Sequence, residues 1–451
     1  MKIRKVWSVL FSLFFLLQVC FLGGCSKKEI TIMNNEGTAI ASLTSIELEQ
    51  TELKEEGYRA YLEIVLEEAL QIISEEEKCS IDEAEEMLMK NQYSIYTAFD
   101  EKVYKAIEDA EKIEENVSLG CAITDLNGNL LAVYSGGNFE EGYQNFASLK
   151  TPPYSSFKPL SVYTPAIESG MVTWSTVYQD EPVKQVEDAD GELRDWPANA
   201  TGSYTNEPVS IYKAIKESLN TIAVRCLQEY GVAESIEYMK NTFGLSLPFE
   251  ASRVQTLGEE ESIGNIALGY LHEGVSPVEM AGYYQVFANG GRYTKPKAIQ
   301  KICDLDGNVI YERNEEGKAV VSERTSYIMN QLLQKVVSPD GTGKKASCEG
   351  IQVGGKTGTG EQGNWFVGFT PQYSCAVWHG TEVETNSTAE IFSKVVSKLE
   401  HEATVTFPEA NGIQQLIFCS ESGMLISDKC RKVDVGYYSL DTELPVCDKH
   451  E

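Results

Sequence analysis

Apolar positions along this 451-residue chain keep two different rhythms, one of helices and one of strands. From Gly57 onward, Tyr58, Tyr61, Leu62, Val65, Leu66, Ala69 and Ile73 recur at steps of three and four, the spacing of one helix face. Ser80-Ile81-Asp82-Glu83 has the form of a capping box and predicts a second, shorter helix. Residues 119–136 read as a hairpin: apolar Cys121-Ala122-Ile123, a turn at Asn127-Gly128, then Leu130 to Tyr134. Helical patterns cover residues 211–230, 277–288 and 387–400, and residues 304–311 look like a smaller, outlying hairpin. Between them, glycine-rich residues 354–360 precede the aromatic run Asn364 to Phe369. Gly-bounded segments beside alternating β-formers predict an edge strand that a ligand backbone can approach closely. Strands near the start and after Gly354, with helices between, predict an α+β fold: an antiparallel sheet flanked by helices, with a small N-terminal helical linker region.

Chemistry concentrates in three short segments. Ser155 and Lys158 form Ser-x-x-Lys, and in a helix they share one face. A serine needs an adjacent base to become a nucleophile, and a desolvated lysine can serve. A second Ser-x-x-Lys, Ser210 and Lys213, follows Pro208 and reads as a helix start. Ser218-Leu219-Asn220 is the only Ser-x-Asn in the chain, and Lys356-Thr357-Gly358, followed by Thr359, is the only Lys-Thr-Gly. On an edge strand, a lysine and two threonine hydroxyls can hold a carboxylate. Each segment alone is weak evidence; a Gly-rich hairpin with an exposed lysine is the simpler reading of Lys-Thr-Gly. The ordered triple is specific, because it is the set carried by penicillin-binding proteins and serine β-lactamases.

From about Tyr93 to the C-terminus the chain resembles the transpeptidase module of class A penicillin-binding proteins. Beyond the triple, the resemblance rests on residues 93–100, 274–280, 287–291 and 365–371, and on a Cys-x-x-His ending at Cys447 and His450. The sequence departs from the family at Tyr154, where glycine usually precedes the nucleophile. The resemblance implies a β-lactamase/transpeptidase-like fold and a D,D-transpeptidase that crosslinks peptidoglycan stem peptides and is a target of β-lactams. It implies Ser155 as nucleophile, Lys158 as base, Ser218 as proton relay and Asn220 as a partner of Lys158 and the substrate amide. Lys356, Thr357, Gly358 and Thr359 are implied as the carboxylate-binding strand, with the backbone N–H groups of Ser155 and Thr359 as oxyanion hole. A D,D-carboxypeptidase or β-lactamase-like hydrolase, or a non-catalytic β-lactam-binding sensor or scaffold, remains as the alternative. No cofactor and no metal is expected.

The N-terminus adds a compartment. Lys2, Arg4 and Lys5 precede an apolar run from Val6 to Leu22, the layout of a signal peptide. Leu22-Gly23-Gly24-Cys25 resembles a bacterial lipobox, which implies lipidation at Cys25 and a cell-membrane location facing outside the cytoplasm. The expected division is a signal peptide over 1–24, a polar, Glu-rich tether over 25–55, a helical linker region over 56–92, the transpeptidase domain over 93–405 and a C-terminal tail region over 406–451. Class A relatives carry a glycosyltransferase domain ahead of this module. Residues 26–92 are short for an independent domain, and the first histidine of the chain is His272, so a separate glycosyltransferase is expected as partner.

Charge narrows the partners further. The net charge of −30 argues against nucleic acid and against an anionic lipid surface. Eleven cysteines include Cys20 and Cys25; the others are scattered with no Cys-x-x-Cys pair, which argues against zinc. Cys430 and Cys447 fit a tail-closing disulfide in an exported protein. Four dispersed histidines make a Ser-His-Asp triad a poor first choice.

Overall fold

The strand Gly363–Phe369 is buried along its whole length, and a strand with no wet face must be covered on both sides. A helix at Ser387–Val396 supplies one cover, with Phe392 edge-on to Phe366 at 4.8 Å between ring centroids. On the opposite face Phe369 meets Phe287 and Phe407 at 6.1 and 5.5 Å. Each such aromatic contributes about 1.5–3 kcal/mol through burial. The computed structural model of the chain describes residues 29–48, 53, 55–111, 117–137, 143–187, 190–245, 259–381 and 387–450. The signal-peptide reading of 1–24 and lipidation of Cys25 lie outside the described residues.

In chain order the strands that organise the molecule are β1 (Ile30–Met33), β2 (Ala39–Leu43), β3 (Ser94–Thr97), β4 (Leu119–Asp125) and β5 (Leu130–Gly136). They continue with β6 (Ile299–Cys303), β7 (Val309–Glu312), β8 (Gly354–Gly360), β9 (Gly363–Phe369) and β10 (Tyr373–His379). The last pair is β11 (Ile413–Cys419) and β12 (Val433–Ser439). The main sheet has the order β8-β9-β10-β4-β5 and is antiparallel throughout. Its members come from both ends of the module, and β8 is at its edge, as the glycine pattern predicts. Helix Pro277–Tyr284 starts with a Ser276–Glu279 capping box and packs on β4, β9 and β10. The fold is the expected one: an antiparallel sheet with helices on its faces.

Two expectations need correction. Residues 25–55 are not only a tether: β1 and β2 enter a second five-stranded sheet of order β7-β6-β3-β1-β2, with Ile30, Ile32 and Leu43 buried. Four alternating residues in β1 are too few to stand out, and their parallel partner β3 lies over sixty positions away, with Ile32 opposite Ile95. The hairpin at 304–311 is not outlying, since β6 and β7 continue that same sheet.

Helix α1 (Arg59–Glu77) docks this N-terminal unit on the main sheet, where the Tyr61 hydroxyl donates to the Leu130 carbonyl at 2.9 Å. Helix α2 (Ile81–Asn91) begins with the Ser80–Glu83 capping box, both of its reciprocal bonds being made. No helix among the described residues is long and apolar enough to cross a membrane.

Candidate active site

Lys158 and Lys356 are both fully buried, in a chain whose other lysines mostly reach solvent. Three pieces of chain bring them together. The first is the turn Tyr154–Ser156, which runs into a helical stretch Pro159–Tyr163. The second is the break between helix α3 (Ile211–Glu217) and helix α4 (Asn220–Tyr230), one continuous helix in the sequence reading. The third is the edge strand β8.

The break between α3 and α4 is what exposes the Ser-x-Asn segment. Ser218 adopts a left-handed conformation (φ 61°) and caps α3, its N–H reaching the carbonyls of Ala214 and Ile215. A non-glycine residue there is strained by about 1–2 kcal/mol. The turn lets one residue face both lysines. Lys356 Nζ donates to Ser218 Oγ at 2.7 Å and to the Thr357 carbonyl at 3.0 Å. Lys158 Nζ donates to the Ser218 carbonyl at 3.0 Å and to Asn220 Oδ1 at 2.6 Å.

Among the described residues no carboxylate pairs with either ammonium. Burial, and after it the charge of Lys356, pushes Lys158 well below the ordinary lysine range. Burial alone brings Lys356 down to about 7. Two buried lysines, neither paired with a carboxylate among the described residues of a chain of charge −30, make a pocket in which a charged Lys356 can receive an anion beside a neutral Lys158 that can take a proton.

The structure separates the two serines of the turn. Ser156 is buried and its hydroxyl donates to the Pro153 carbonyl at 2.6 Å, so it holds the turn. Ser155 is part-exposed. β8 lies close against this turn: a Cβ built on Gly358 would stand 2.4 Å from the Pro153 carbonyl oxygen and 3.2 Å from the Ser156 nitrogen. Thr357 is part-exposed and Thr359 exposed on the same strand. The second Ser-x-x-Lys is a helix cap as expected, with Ser210 Oγ accepting from the Lys213 N–H at 3.3 Å.

Tyr154, the departure from the family pattern, also has a left-handed backbone (φ 48°), the conformation glycine adopts without strain. Packing offsets the strain. Its hydroxyl accepts from the Gln362 N–H at 3.0 Å, and its N–H reaches the Gly269 carbonyl at 3.0 Å. The ring fills the space a side chain at Gly360 would occupy and lies edge-on to Tyr270 at 5.7 Å. The tyrosine thus ties the Ser155 turn to the end of β8.

Sequence reasoning missed a web behind Asn220. Asn220 Nδ2 donates to the Ala198 carbonyl at 2.6 Å, and its backbone N–H donates to Asn199 Oδ1 at 2.8 Å. Asn199 and Thr221 both donate to buried Asp180, at 2.8 and 2.6 Å. Burial pushes the Asp180 carboxyl up, but bonds from Thr221, Thr205 and Asn199 outweigh it and leave it below its ordinary value. Asp180, Asn199 and Thr205 sit in a polar stretch without periodicity, and no spacing in the sequence marks them.

Residues 120–397 match the family described as "Transpeptidase: Penicillin binding protein transpeptidase domain", and the chain belongs to that family. It is 31% identical over 338 residues to penicillin-binding protein 1A of Clostridium botulinum (strain Langeland / NCTC 10281 / Type F), covering 69% of this chain and 39% of that protein. It is 30% identical over 364 residues to penicillin-binding protein 4 of Bacillus subtilis (strain 168), covering 74% of this chain and 54% of that one. The chain thus spans well under two thirds of these relatives. Its fold is similar to the D,D-transpeptidase domain of a peptidoglycan glycosyltransferase from Eggerthella lenta, with a TM-score of 0.64 at 18% identity, covering 83% of this chain and 98% of that one.

Proposed function

We propose that this protein is a peptidoglycan D,D-transpeptidase acting through a Ser155 acyl-enzyme. The observation that carries the reading is the pair of buried lysines joined through Ser218, with no carboxylate partner among the described residues, near a part-exposed serine. Ser155 Oγ attacks the penultimate carbonyl of a stem peptide ending in D-Ala-D-Ala, and neutral Lys158 takes its proton. Backbone N–H groups of Ser155 and Thr359 stabilise the oxyanion. Ser218 passes a proton to the departing D-Ala amine and regains one at the expense of the proton Lys158 took, which leaves Ser155 esterified and Lys158 neutral again. Asn220 holds Lys158 and the substrate amide. Charged Lys356, with Thr357 and Thr359, receives the terminal carboxylate, and Gly358 gives the strand its close approach. An amine of a second stem peptide then attacks the ester, forming the crosslink and returning the proton to Ser155. A β-lactam enters by the same first step and stays as the ester.

The same proposal places the domain outside the cytoplasm, held to the membrane by lipid at Cys25. A separate glycosyltransferase is the partner we propose to supply the strands.

The test is intact-mass analysis with a penicillin, then with a D-Ala-D-Ala stem peptide and an amine acceptor. One adduct mapping to Ser155, followed by crosslinked product, is expected. A label on Ser156 or Ser210, or none, overturns the nucleophile. Release of hydrolysed stem alone overturns transpeptidation in favour of a carboxypeptidase.

A further inference from the structure

Nine cysteines are described, and the structure leaves them all as free thiols, Cys430 and Cys447 included. The expected tail disulfide is therefore not formed, and the reason is visible in the side chains around it. Cys419, Cys430, Cys447 and His450 bring their ligand atoms within 4.8 Å of one another. We infer that these four residues bind a zinc ion that closes the C-terminal hairpin.

Four donors around one centre exceed what a disulfide uses, since any one pair would strand the third thiol beside the imidazole. Cys419 Sγ lies 3.1 Å from His450 Nε2. A tetrahedral ion with Zn–S near 2.3 Å and Zn–N near 2.0–2.1 Å sets sulfur atoms about 3.8 Å apart and sulfur and nitrogen about 3.5 Å apart. The cluster needs only small side-chain shifts to meet that. Three thiolates and an imidazole suit zinc over magnesium or calcium, which take oxygen. A four-residue ligand set leaves no open position, the mark of a structural site.

The backbone builds the cluster from three segments. Cys419 ends β11, and the chain turns back through Gly423, whose N–H reaches the Cys419 carbonyl at 2.8 Å. Cys430 lies just before β12, whose Val433 pairs with Cys419. The tail is pinned by the Cys447 N–H to the Leu425 carbonyl at 2.8 Å, and His450 follows three residues later. Donors already point at two sulfurs, the Ser422 hydroxyl at Cys447 (3.1 Å) and the Ser427 N–H at Cys430 (3.3 Å). Such second-layer donors orient thiolate ligands.

Its consequence for the fold follows from what the hairpin covers. Gly436 lies against Trp174, and Tyr437 meets that indole edge-on at 5.4 Å. Trp174 in turn stacks on Tyr212 of α3, the helix that ends at Ser218. The ion would hold the hairpin as a brace on that helix.

Full-length protein purified from membranes under metal-free buffers decides the matter by elemental analysis and intact mass. One zinc per chain is expected, falling at least tenfold in Cys419→Ser and Cys447→Ser. Cobalt replacing the zinc should show thiolate charge-transfer absorption. If the variants fail to fold, chelation of the wild type serves instead: it should lower the melting temperature and expose three thiols to alkylation together. Metal-free wild type two hydrogens lighter, as for a tail disulfide, overturns the inference. So does zinc that survives both substitutions.

Discussion

At the scale of single residues, the two lysines differ although both are buried. In the proposed mechanism Lys158 must be neutral to accept a proton, and burial, then the charge of Lys356 beside it, holds its pKa well below the ordinary lysine value. Lys356 must be charged to hold a carboxylate, and in the free protein it loses that charge at about 7. The second-order rate of penicillin acylation, which reports the free enzyme, should therefore be bell-shaped. It rises with pH as Lys158 deprotonates and falls as Lys356 does. Lys356→Arg should remove the alkaline limb, since a guanidinium stays charged. Lys158→Ala should lower the rate about 10²–10⁴-fold at the top of the bell and remove the acid limb. A falling limb unchanged in the arginine variant would contradict these roles. The part of this legible from sequence was the residue types and their order. The break at Ser218 that points one residue at both lysines was not, because the periodicity of residues 211–230 reads as one helix and left-handed strain leaves no trace in it.

At the scale of elements, the docking of α1 shows how packing outweighs local pattern. Glu68 on this helix accepts the N–H groups of Ala298 and Ile299 next to β6, at 2.8 and 3.4 Å, while its other oxygen is buried without a partner. Burial raises this carboxyl to about 7, against the pull of those N–H groups and of Lys297. The folded state thus binds the proton more tightly than the unfolded chain. Its contribution is complete below the unfolded value of 4.5 and is lost as pH rises through about 7. Glu68→Gln cannot titrate. Between pH 5 and pH 8 the wild type should lose on the order of 1–3 kcal/mol relative to this variant, read from denaturant unfolding at the two pH values. Comparing two pH values cancels any constant cost of the amide, and parallel pH curves would refute the assignment. The sequence predicted α1 correctly from its apolar face. It could not show that one glutamate on it faces the start of strand β6, 230 positions away.

At the scale of the whole molecule, the proposed cell-wall role sets the partners. A chain of charge −30 is repelled by an anionic membrane surface, and the attachment proposed above is the lipid at Cys25. Cys25→Ala should move the protein from the membrane to the soluble fraction. Given lipid-linked disaccharide precursor, the purified protein should make no polymer, yet should crosslink strands once a glycosyltransferase is added. Polymer made by this protein alone would refute the need for that partner.

What the sequence determined by itself are the quantities that are local: strand and helix periods, the edge character of the glycine-rich β8, the capping boxes at Ser80 and Ser276, and the motif residues. These follow from steric and hydrogen-bond preferences acting over a few neighbours. Only the tertiary structure decided what depends on groups far apart in the chain. It drew β1 and β2 out of an expected tether into a sheet, gave Tyr154 its packing over Gly360, set Asp180 and Asn199 behind Asn220, and gathered three scattered cysteines with His450. The reason is physical: desolvation, long-range strand pairing and ligand convergence are properties of a three-dimensional neighbourhood, and linear spacing records that neighbourhood only where the chain turns back within a few residues.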